Sequence, residues 1–185
     1  MAELPPQPQP TPSDEGSDQG APAVTVHLAL GGNLGDRAAN LAEAIRRLGD
    51  AVRIDALSAV YETAPMYVTE QPAFLNMAVR GTTTLEPRPL LRALKEIEAT
   101  LGRESGGLRF GPRPIDIDIL LYGDRVVADP DLEIPHPRMA ERAFVLCPLA
   151  DIAADLHHPL LGASIAALRD AVPGRDTVVR IAEAL

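Results

Sequence analysis

The chain has 185 residues, 46% of them hydrophobic, which is enough for one substantial core and too little for two ordinary domains. Its formal net charge of -9 argues against a broad basic surface for nucleic acid, so we expect no nucleic-acid partner. The sequence contains neither a signal-peptide pattern nor an apolar run near the ~20 residues of a membrane span. We therefore expect a cytosolic protein without membrane association.

Arginine carries almost all of the positive charge. Only one of the 17 basic residues is a lysine, Lys95. Phosphate recognition would therefore rely on arginine, whose planar guanidinium group can bind two phosphate oxygens at once. The single cysteine, Cys147, cannot form an internal disulfide, and its apolar neighbours indicate a buried side chain rather than a nucleophile.

The chain begins with a segment unlike the rest. Residues 1–22 are rich in Pro, Gln, Ser, Gly and acidic residues and contain little to bury, so we predict a disordered tail. From Val24 to Leu30 apolar and polar residues alternate, which predicts a first strand. A glycine-bearing turn over 31–36 leads into apolar residues at helical spacing, and this first helix ends at Gly49.

Three more strands and a second helix complete the predicted core. The runs 52–61 and 74–84 are β-branched and alternating, and we expect them to pair as antiparallel neighbours. Residues 87–102 have one apolar face, with proline early and glycine at the end, as helices prefer. Residues 115–122 are apolar enough for a central strand. The order βαββαβ predicts an α+β, ferredoxin-like fold, an antiparallel sheet with both helices on one face.

The segments beyond this core are predicted to flank the sheet. They comprise short extended pieces at 126–127 and 132–134, a helix over 138–146, and another helix after Ser164. We accordingly predict one folded domain over 23–173 and a partly ordered tail over 174–185.

The strongest chemical signal is a pair of acids on the last core strand. Asp116 and Asp118 are two residues apart, so their carboxylates project from the same face of the sheet. Two buried carboxylates repel each other unless a cation compensates, and Mg²⁺ is the hard cation that carboxylates and substrate phosphates bind together. The pattern favours a magnesium site over the alternative that both acids simply face solvent.

The loop before this strand combines arginine with glycine. Arg103, Arg109 and Arg113 lie there among several glycines, which suits a mobile lid that closes over a polyphosphate. An exposed loop with ordinary surface arginines is the alternative, and the neighbouring acid pair favours the lid. The glycines of the turn 31–36 match neither common nucleotide-binding motif, and a tight turn explains them.

Several short blocks follow one another along the chain. They are GGNLG at 31–35, YETAP at 61–65, QPAFLN at 71–76, RFGPRPIDIDILLYG at 109–123, IPHPRM at 134–139 and RAFVLCPL at 142–149. In this order the blocks resemble the hydroxymethyl-dihydropterin pyrophosphokinase family, and the resemblance covers about residues 24–172.

The resemblance implies an enzyme of folate synthesis that transfers pyrophosphate from ATP to 6-hydroxymethyl-7,8-dihydropterin and releases AMP. It implies that Asp116 and Asp118 hold two Mg²⁺ ions bridging the ATP phosphates, and that Arg103 and Arg113 assist in catalysis. The implied pterin pocket, in which the two phenylalanines sandwich the ring, consists of Thr63, Pro65, Met66, Phe74, Asn76 and Phe144. The implied ATP contacts are Glu98, Arg103, Arg113, His136 and Arg142.

The resemblance also implies a monomer, and it leaves association with other folate-pathway enzymes open. The chain departs from the family pattern at Gly32, Ala64, Tyr67, Ser105 and Phe110, and these departures concern affinity rather than the reaction. Two other hypotheses remain. A non-catalytic ferredoxin-like sensor would use the same pocket for regulation, although the acid pair and the arginine loop argue against it. A structural subunit that uses the Pro-rich tail as its contact would bind neither pterin nor ATP.

Overall fold

A six-stranded antiparallel sheet lies at the centre of the fold. The structure is a computed structural model that describes residues 21–65, 70–103 and 111–183. The strands are β1 (Val24–Gly32), β2 (Arg53–Leu57), β3 (Val60–Thr63), β4 (Phe74–Thr83), β5 (Asp116–Tyr122), β6 (Val127–Asp129), β7 (Leu132–Ile134) and β8 (Val179–Ala182). The α-helices are α1 (Arg37–Leu48), α2 (Pro87–Thr100), α3 (Ala143–Ala153) and α4 (Ile165–Ala171). In these ranges, no helix has the length and apolar character that crossing a membrane requires.

The strand order confirms the predicted ferredoxin-like fold. β1 pairs with β4 on one side and with β5 on the other, and both β2 and β3 pair with β4. Every one of these pairings is antiparallel, as expected for the βαββαβ order. β6 and β7 form a separate hairpin, and β8 extends the main sheet beyond β3.

Helices α1 and α2 cover one face of the sheet. Alternate residues of the strands, such as Leu28 of β1, Met77 of β4 and Ile117 of β5, point to this face and are fully buried. Leu41 of α1 and Leu94 of α2 complete the same core cluster. The helical spacing of apolar residues therefore predicted the correct buried faces for both helices.

Helix α3 covers part of the opposite face. Leu146 and Leu149 of α3 pack in a second core cluster with Ala78 of β4 and Leu120 of β5. The first turn of α3 lies beside the end of the sheet where β5 begins, and a cavity separates the helix from the strands there. The two faces of the sheet thus differ, because one is a closed core and the other contains a cavity.

The run 52–61 forms two strands rather than one. Ser58 and Ala59 separate β2 from β3, and the Ser58 hydroxyl donates to the Ala59 carbonyl at 2.7 Å and accepts from the Ala78 N–H at 2.8 Å. A side chain therefore replaces ladder hydrogen bonds at the break. Alternation of apolar residues could not reveal it, because its hydrogen-bond partner lies 20 residues away in the sequence.

Both predicted bounds of the helix over 138–146 are wrong. A short 3-10 turn spans Met139–Glu141, the backbone of Arg142 is extended with φ -118° and ψ 103°, and α3 starts only at Ala143. The helix then continues through Pro148 to Ala153. Most of its residues are buried, so tertiary packing offsets the backbone hydrogen bond that a proline cannot make.

The C-terminal segment contains a strand that the sequence did not predict. Within 174–185, where we expected only partial order, β8 pairs with β3 from Val60 opposite Ala182 to Glu62 opposite Val179. All four residues of β8 are exposed, so no pattern of burial marks this strand in the sequence.

Candidate active site

A cavity of about 140 Å³ lies between the sheet and the first turn of α3. The strands on this face carry small residues in the middle and larger polar residues on both sides. Gly31 of β1 lies opposite Asn76 of β4 and Asp116 of β5, while Ala29 lies opposite Asp118. The cavity is lined by Ala29, Leu30, Gly31, Thr63, Ala64, Gln71, Phe74, Asn76, Met77, Arg113, Asp116, Asp118, Arg142, Phe144 and Val145.

Gly31 lies on the floor of this cavity and leaves room for the Asn76 side chain. A Cβ atom at this position would lie 2.9 Å from Oδ1 of Asn76, which is closer than real Cβ contacts. Glycine is therefore required by the position of the Asn76 side chain, not by backbone conformation. The next residue, Gly32, has even less space for a side chain, because a Cβ there would be 2.2 Å from the Pro114 carbonyl oxygen.

Asn76 is a polar group fixed in a buried position. Its Nδ2 donates a hydrogen bond to Oγ1 of Thr63 at 2.8 Å, and both residues are buried. Since the amide N–H is directed to Thr63, the amide oxygen can accept a hydrogen bond from a ligand in the cavity. A buried amide with a defined orientation is suited to recognising the polar edge of a flat ring.

Two phenylalanines form apolar walls of the cavity. Phe74 lies at the start of β4, and Phe144 lies in the first turn of α3. An arginine accompanies each ring: the Arg113 guanidinium carbon is 5.9 Å from the Phe74 centroid, and that of Arg142 is 5.6 Å from the Phe144 centroid. The cavity thus combines aromatic surfaces with cationic groups, which suits a planar ligand carrying or approaching negative charge.

Asp116 is held by two arginines. Arg113 Nη1 lies 2.9 Å from Oδ2 of Asp116, and Arg103 Nη1 contacts the other carboxylate oxygen. Burial raises the pKa of this carboxyl, but the charges of Arg103 and Arg113 outweigh burial and hold the pKa below its ordinary value. Asp116 is therefore ionised at neutral pH.

Asp118 has a different electrostatic environment. Burial and the nearby charge of Asp116 raise the pKa of Asp118. His136 Nε2 lies 4.0 Å from Oδ2 of Asp118, and burial lowers the pKa of this imidazole despite the carboxylate beside it. The ionised form of Asp118 is thus undercompensated. A divalent cation bound by both aspartates would relieve that imbalance, so the donor set fits Mg²⁺.

Glu98 is the most buried charged residue at the site. Its side chain is 2% exposed, and it accepts the N–H of Ile117 at 2.7 Å. Lys95 Nζ and Arg103 Nη1 lie 2.8 and 2.7 Å from its carboxylate oxygens. Burial raises the pKa of Glu98, opposed chiefly by the charge of Lys95. In this structure Glu98 positions Arg103 beside Asp116 and links α2 to β5.

The structure brings together most of the residues predicted from sequence. Eight of them line the cavity, namely Thr63, Phe74, Asn76, Arg113, Asp116, Asp118, Arg142 and Phe144. Glu98, Arg103 and His136 contact the two aspartates or their arginines. Pro65 is not among the lining residues. Met66 and Tyr67, together with residues 104–110 of the predicted lid, lie outside the described residues.

Sequence reasoning missed two residues that organise the site. Lys95 escaped notice as a site residue, although its i, i+3 spacing to Glu98 was a usable signal. Asn33 is 1% exposed and donates from Nδ2 to Gln71 Oε1 and the Pro72 carbonyl at 3.0 and 3.1 Å. Its Oδ1 accepts the Arg113 N–H at 2.9 Å. No local pattern could show these contacts, because their partners lie 38 to 80 residues away.

These features define an α+β ligand-binding domain with aromatic walls on one side of its cavity and a partly buried cluster of acids and arginines on the other. The model of the 7,8-dihydro-6-hydroxymethylpterin-pyrophosphokinase (HPPK) family matches residues 27–154. The chain belongs to this family.

Two homologous proteins support this assignment. A folate synthesis bifunctional protein of Arabidopsis thaliana is 51% identical over 128 residues, which are 69% of this chain and 26% of that protein. A 2-amino-4-hydroxy-6-hydroxymethyldihydropteridine pyrophosphokinase of Methylorubrum extorquens is 49% identical over 133 residues, 71% of this chain and 84% of that protein. The chain therefore spans about a quarter of the plant protein and most of the bacterial one.

A solved structure supports the fold. The crystal structure of a Plasmodium falciparum HPPK-DHPS triple mutant with SDX-DHP superposes with a TM-score of 0.69. The similarity covers 83% of this chain and 45% of that chain, at 18% sequence identity. At this identity the comparison establishes the shared fold only.

Proposed function

We propose that the protein transfers the pyrophosphoryl group of ATP to the hydroxymethyl group of 6-hydroxymethyl-7,8-dihydropterin, giving AMP and the pterin diphosphate for folate biosynthesis. The observation that carries this proposal is the placement of Asp116 and Asp118. The two aspartates lie on the floor of a cavity that also has aromatic walls, beside Arg103 and Arg113. A pterin and a polyphosphate can therefore meet at these carboxylates.

The pterin is proposed to lie between Phe74 and Phe144, where its flat ring replaces water against two apolar surfaces. Asn76, oriented by Thr63, would accept a hydrogen bond from a ring N–H. Pro65 and Met66 belong to the proposed pocket on the family resemblance alone. This orientation would direct the hydroxymethyl group toward the aspartates.

ATP is proposed to bind on the side of the acid pair that carries the cationic groups. Arg103, Arg113, His136 and Arg142 would contact its phosphates, and Glu98 would keep Arg103 in place. Asp116 and Asp118 would hold Mg²⁺, two ions by family resemblance, which would neutralise phosphate charge during transfer.

The transfer balances without any further reactant. The hydroxymethyl oxygen forms a bond to the β-phosphorus, the bond from that phosphorus to the bridging oxygen of AMP breaks, and the hydroxyl proton is released. The protein's own contribution is to align the two substrates and to offset the phosphate charges, which is the general basis of catalysis in phosphoryl transfer.

Several expectations from sequence stay predictions. They are the disordered tail over 1–22, the domain limits 23–173, the cytosolic location and the monomeric state. The fused architecture of relatives such as the Arabidopsis bifunctional protein supports a proposal that this protein associates with other enzymes of the pathway.

The test is to incubate the protein with ATP, Mg²⁺ and the pterin and to follow AMP by chromatography. AMP should form only when the pterin is present, and Asp116→Asn or Asp118→Asn should reduce its formation by about 10³-fold or more, the scale on which charge-stabilising groups act. Asp124→Asn, at an exposed acid just beyond β5, is the matched control and should keep full activity. Production of ADP, or near-normal activity in a folded Asp116→Asn variant, would refute the proposal. Pterin binding without turnover would instead favour the sensor.

A further inference from the structure

A hydrogen-bonded link joins helix α3 to strand β3 outside the cavity. Asp151, near the C-terminal end of α3, accepts the Tyr61 hydroxyl with distances of 3.0 Å to both carboxylate oxygens. Its Oδ2 also accepts the Ala59 N–H at 3.1 Å. Ala59 lies at the break between β2 and β3, so Asp151 satisfies a backbone donor next to the point where β3 begins.

Both ends of this link are connected to the cavity. Phe144, Cys147 and Asp151 have i, i+3, i+7 spacing, so they lie along one face of α3. On β3, Tyr61 lies directly opposite Asn76, and Thr63 two residues later is the residue that orients the Asn76 amide. The link therefore connects the helix that carries Phe144 to the strand that supports the Asn76 side of the same pocket.

The packing around the link favours a fixed distance between helix and strand. Cys147 forms a small buried cluster with Ala59 and Tyr61, and Val178 packs against it just before β8. Tyr61 is 9% exposed, whereas Asp151 is exposed, so the contact lies at the edge of this cluster with its tyrosine side covered. A hydrogen bond to a carboxylate is charge-assisted and is therefore stronger than one between neutral groups.

We propose that Asp151 and Tyr61 are positioning residues that set the spacing between Phe144 and the sheet, and thereby the affinity for the pterin ring. The inference rests on the proposed function, because it concerns the same pocket. Of the residues placed at the nucleotide, Glu98, Arg103 and Arg113 lie in α2 or in the segments that follow α2 and precede β5, whereas Arg142 is the N-cap residue of α3. Most of the proposed phosphate contacts are therefore independent of α3. Loss of the link should therefore affect the pterin far more than ATP.

The variants Asp151→Ala, Tyr61→Phe and their combination test the link. Each single variant should raise the KM and the Kd for the pterin about fivefold, the factor that one lost hydrogen bond of this kind produces. The KM for ATP should change less than twofold. Because both substitutions break the same contact, the double variant should bind the pterin no more weakly than the weaker-binding single variant.

Two control variants separate positioning from general stability. Tyr122→Phe removes a buried hydroxyl that donates to the Leu85 carbonyl, away from the α3 side of the sheet, at 2.9 Å. It should lower the melting temperature without changing the pterin KM. Asp155→Ala makes the same change at an exposed acid just beyond α3 and should leave the melting temperature and the pterin KM unchanged.

The outcome distinguishes this inference from the proposed function. An unchanged pterin KM in folded Tyr61→Phe or Asp151→Ala overturns the positioning role. A pterin KM that rises equally in Tyr122→Phe overturns it as well. Pterin affinity is also measured by fluorescence titration, which needs no turnover. If the wild type forms AMP and the variants bind pterin normally, only the positioning role of Asp151 and Tyr61 is refuted. If the wild type neither binds pterin nor forms AMP, the proposed function is refuted as well.

Discussion

The buried histidine of β1 should make the stability of the fold depend on pH in a defined way. His27 is 5% exposed and lies opposite Arg80 of β4 and Leu121 of β5. Burial, assisted by the charge of Arg80 and opposed by that of Asp55, lowers the pKa of His27 from 6.5 to about 4. The folded protein therefore keeps this imidazole neutral at a pH where the unfolded chain protonates it.

The sign and size of the effect follow from linkage. Between pH 6.5 and 4 the unfolded chain binds more protons at this residue, so stability is complete above this range and is lost as the pH falls through it. A shift of this size corresponds to about 3 kcal/mol, of which about 2 kcal/mol is lost between pH 7 and pH 5.

The measurement is urea unfolding of the wild type and of His27→Gln at a series of pH values, followed by circular dichroism. Taking the difference between the two proteins removes the contributions of other titrating groups. The stability advantage of the wild type should shrink by about 2 kcal/mol from pH 7 to pH 5. The exposed His157, replaced in the same way, controls for the loss of an imidazole without burial. A difference curve for His27 that is flat over this range would refute the reasoning.

Three further predictions concern the cavity. Asp118→Asn removes a half-buried charge beside Asp116, so it should raise the melting temperature of the metal-free protein by a few degrees while abolishing AMP formation. An equal or lower melting temperature in calorimetry would contradict this. Gly31→Ala should weaken pterin binding about tenfold in a fluorescence titration, because its Cβ would displace the Asn76 amide; normal affinity would show that the amide adjusts freely. Glu98→Gln should lower the unfolding free energy by about 3 kcal/mol in urea, and a change under 1 kcal/mol would contradict its role as a buried anchor.

The features that the sequence predicted correctly are local ones. The alternation along β1 and β5 fixes which residues share a face, so the placement of Asp116 and Asp118 on one side follows from their spacing alone. Both helices of the first face were likewise found from the spacing of their apolar residues. The family resemblance then named residues that no periodicity could select, such as Thr63 and Phe144.

The features that the sequence did not predict depend on contacts between distant segments. The start of α3 is set by the extended backbone of Arg142 and by packing on the sheet, neither of which has a local signature. Asp151 and Tyr61 are 90 residues apart, and no local sequence pattern marks either residue as a hydrogen-bond partner. The same holds for β8, which pairs through its backbone while all its side chains are exposed.

The two faces of the sheet explain why destabilising groups can be concentrated at the site. The face under α1 and α2 is a continuous apolar core that includes Leu28, Met77 and Ile117, and it requires no polar group from the cavity. On the other face, Asp118 is a half-buried acid with a raised pKa, and Gly31 lacks a side chain so that the Asn76 amide fits beside it. Because alternate residues of the same strands serve the two faces, the side chains at the cavity belong to a different set from those of the core under α1 and α2. Substitutions on the α3 face can therefore remove function without unfolding the chain, which is the condition that the variants of Asp116 and Asp118 require.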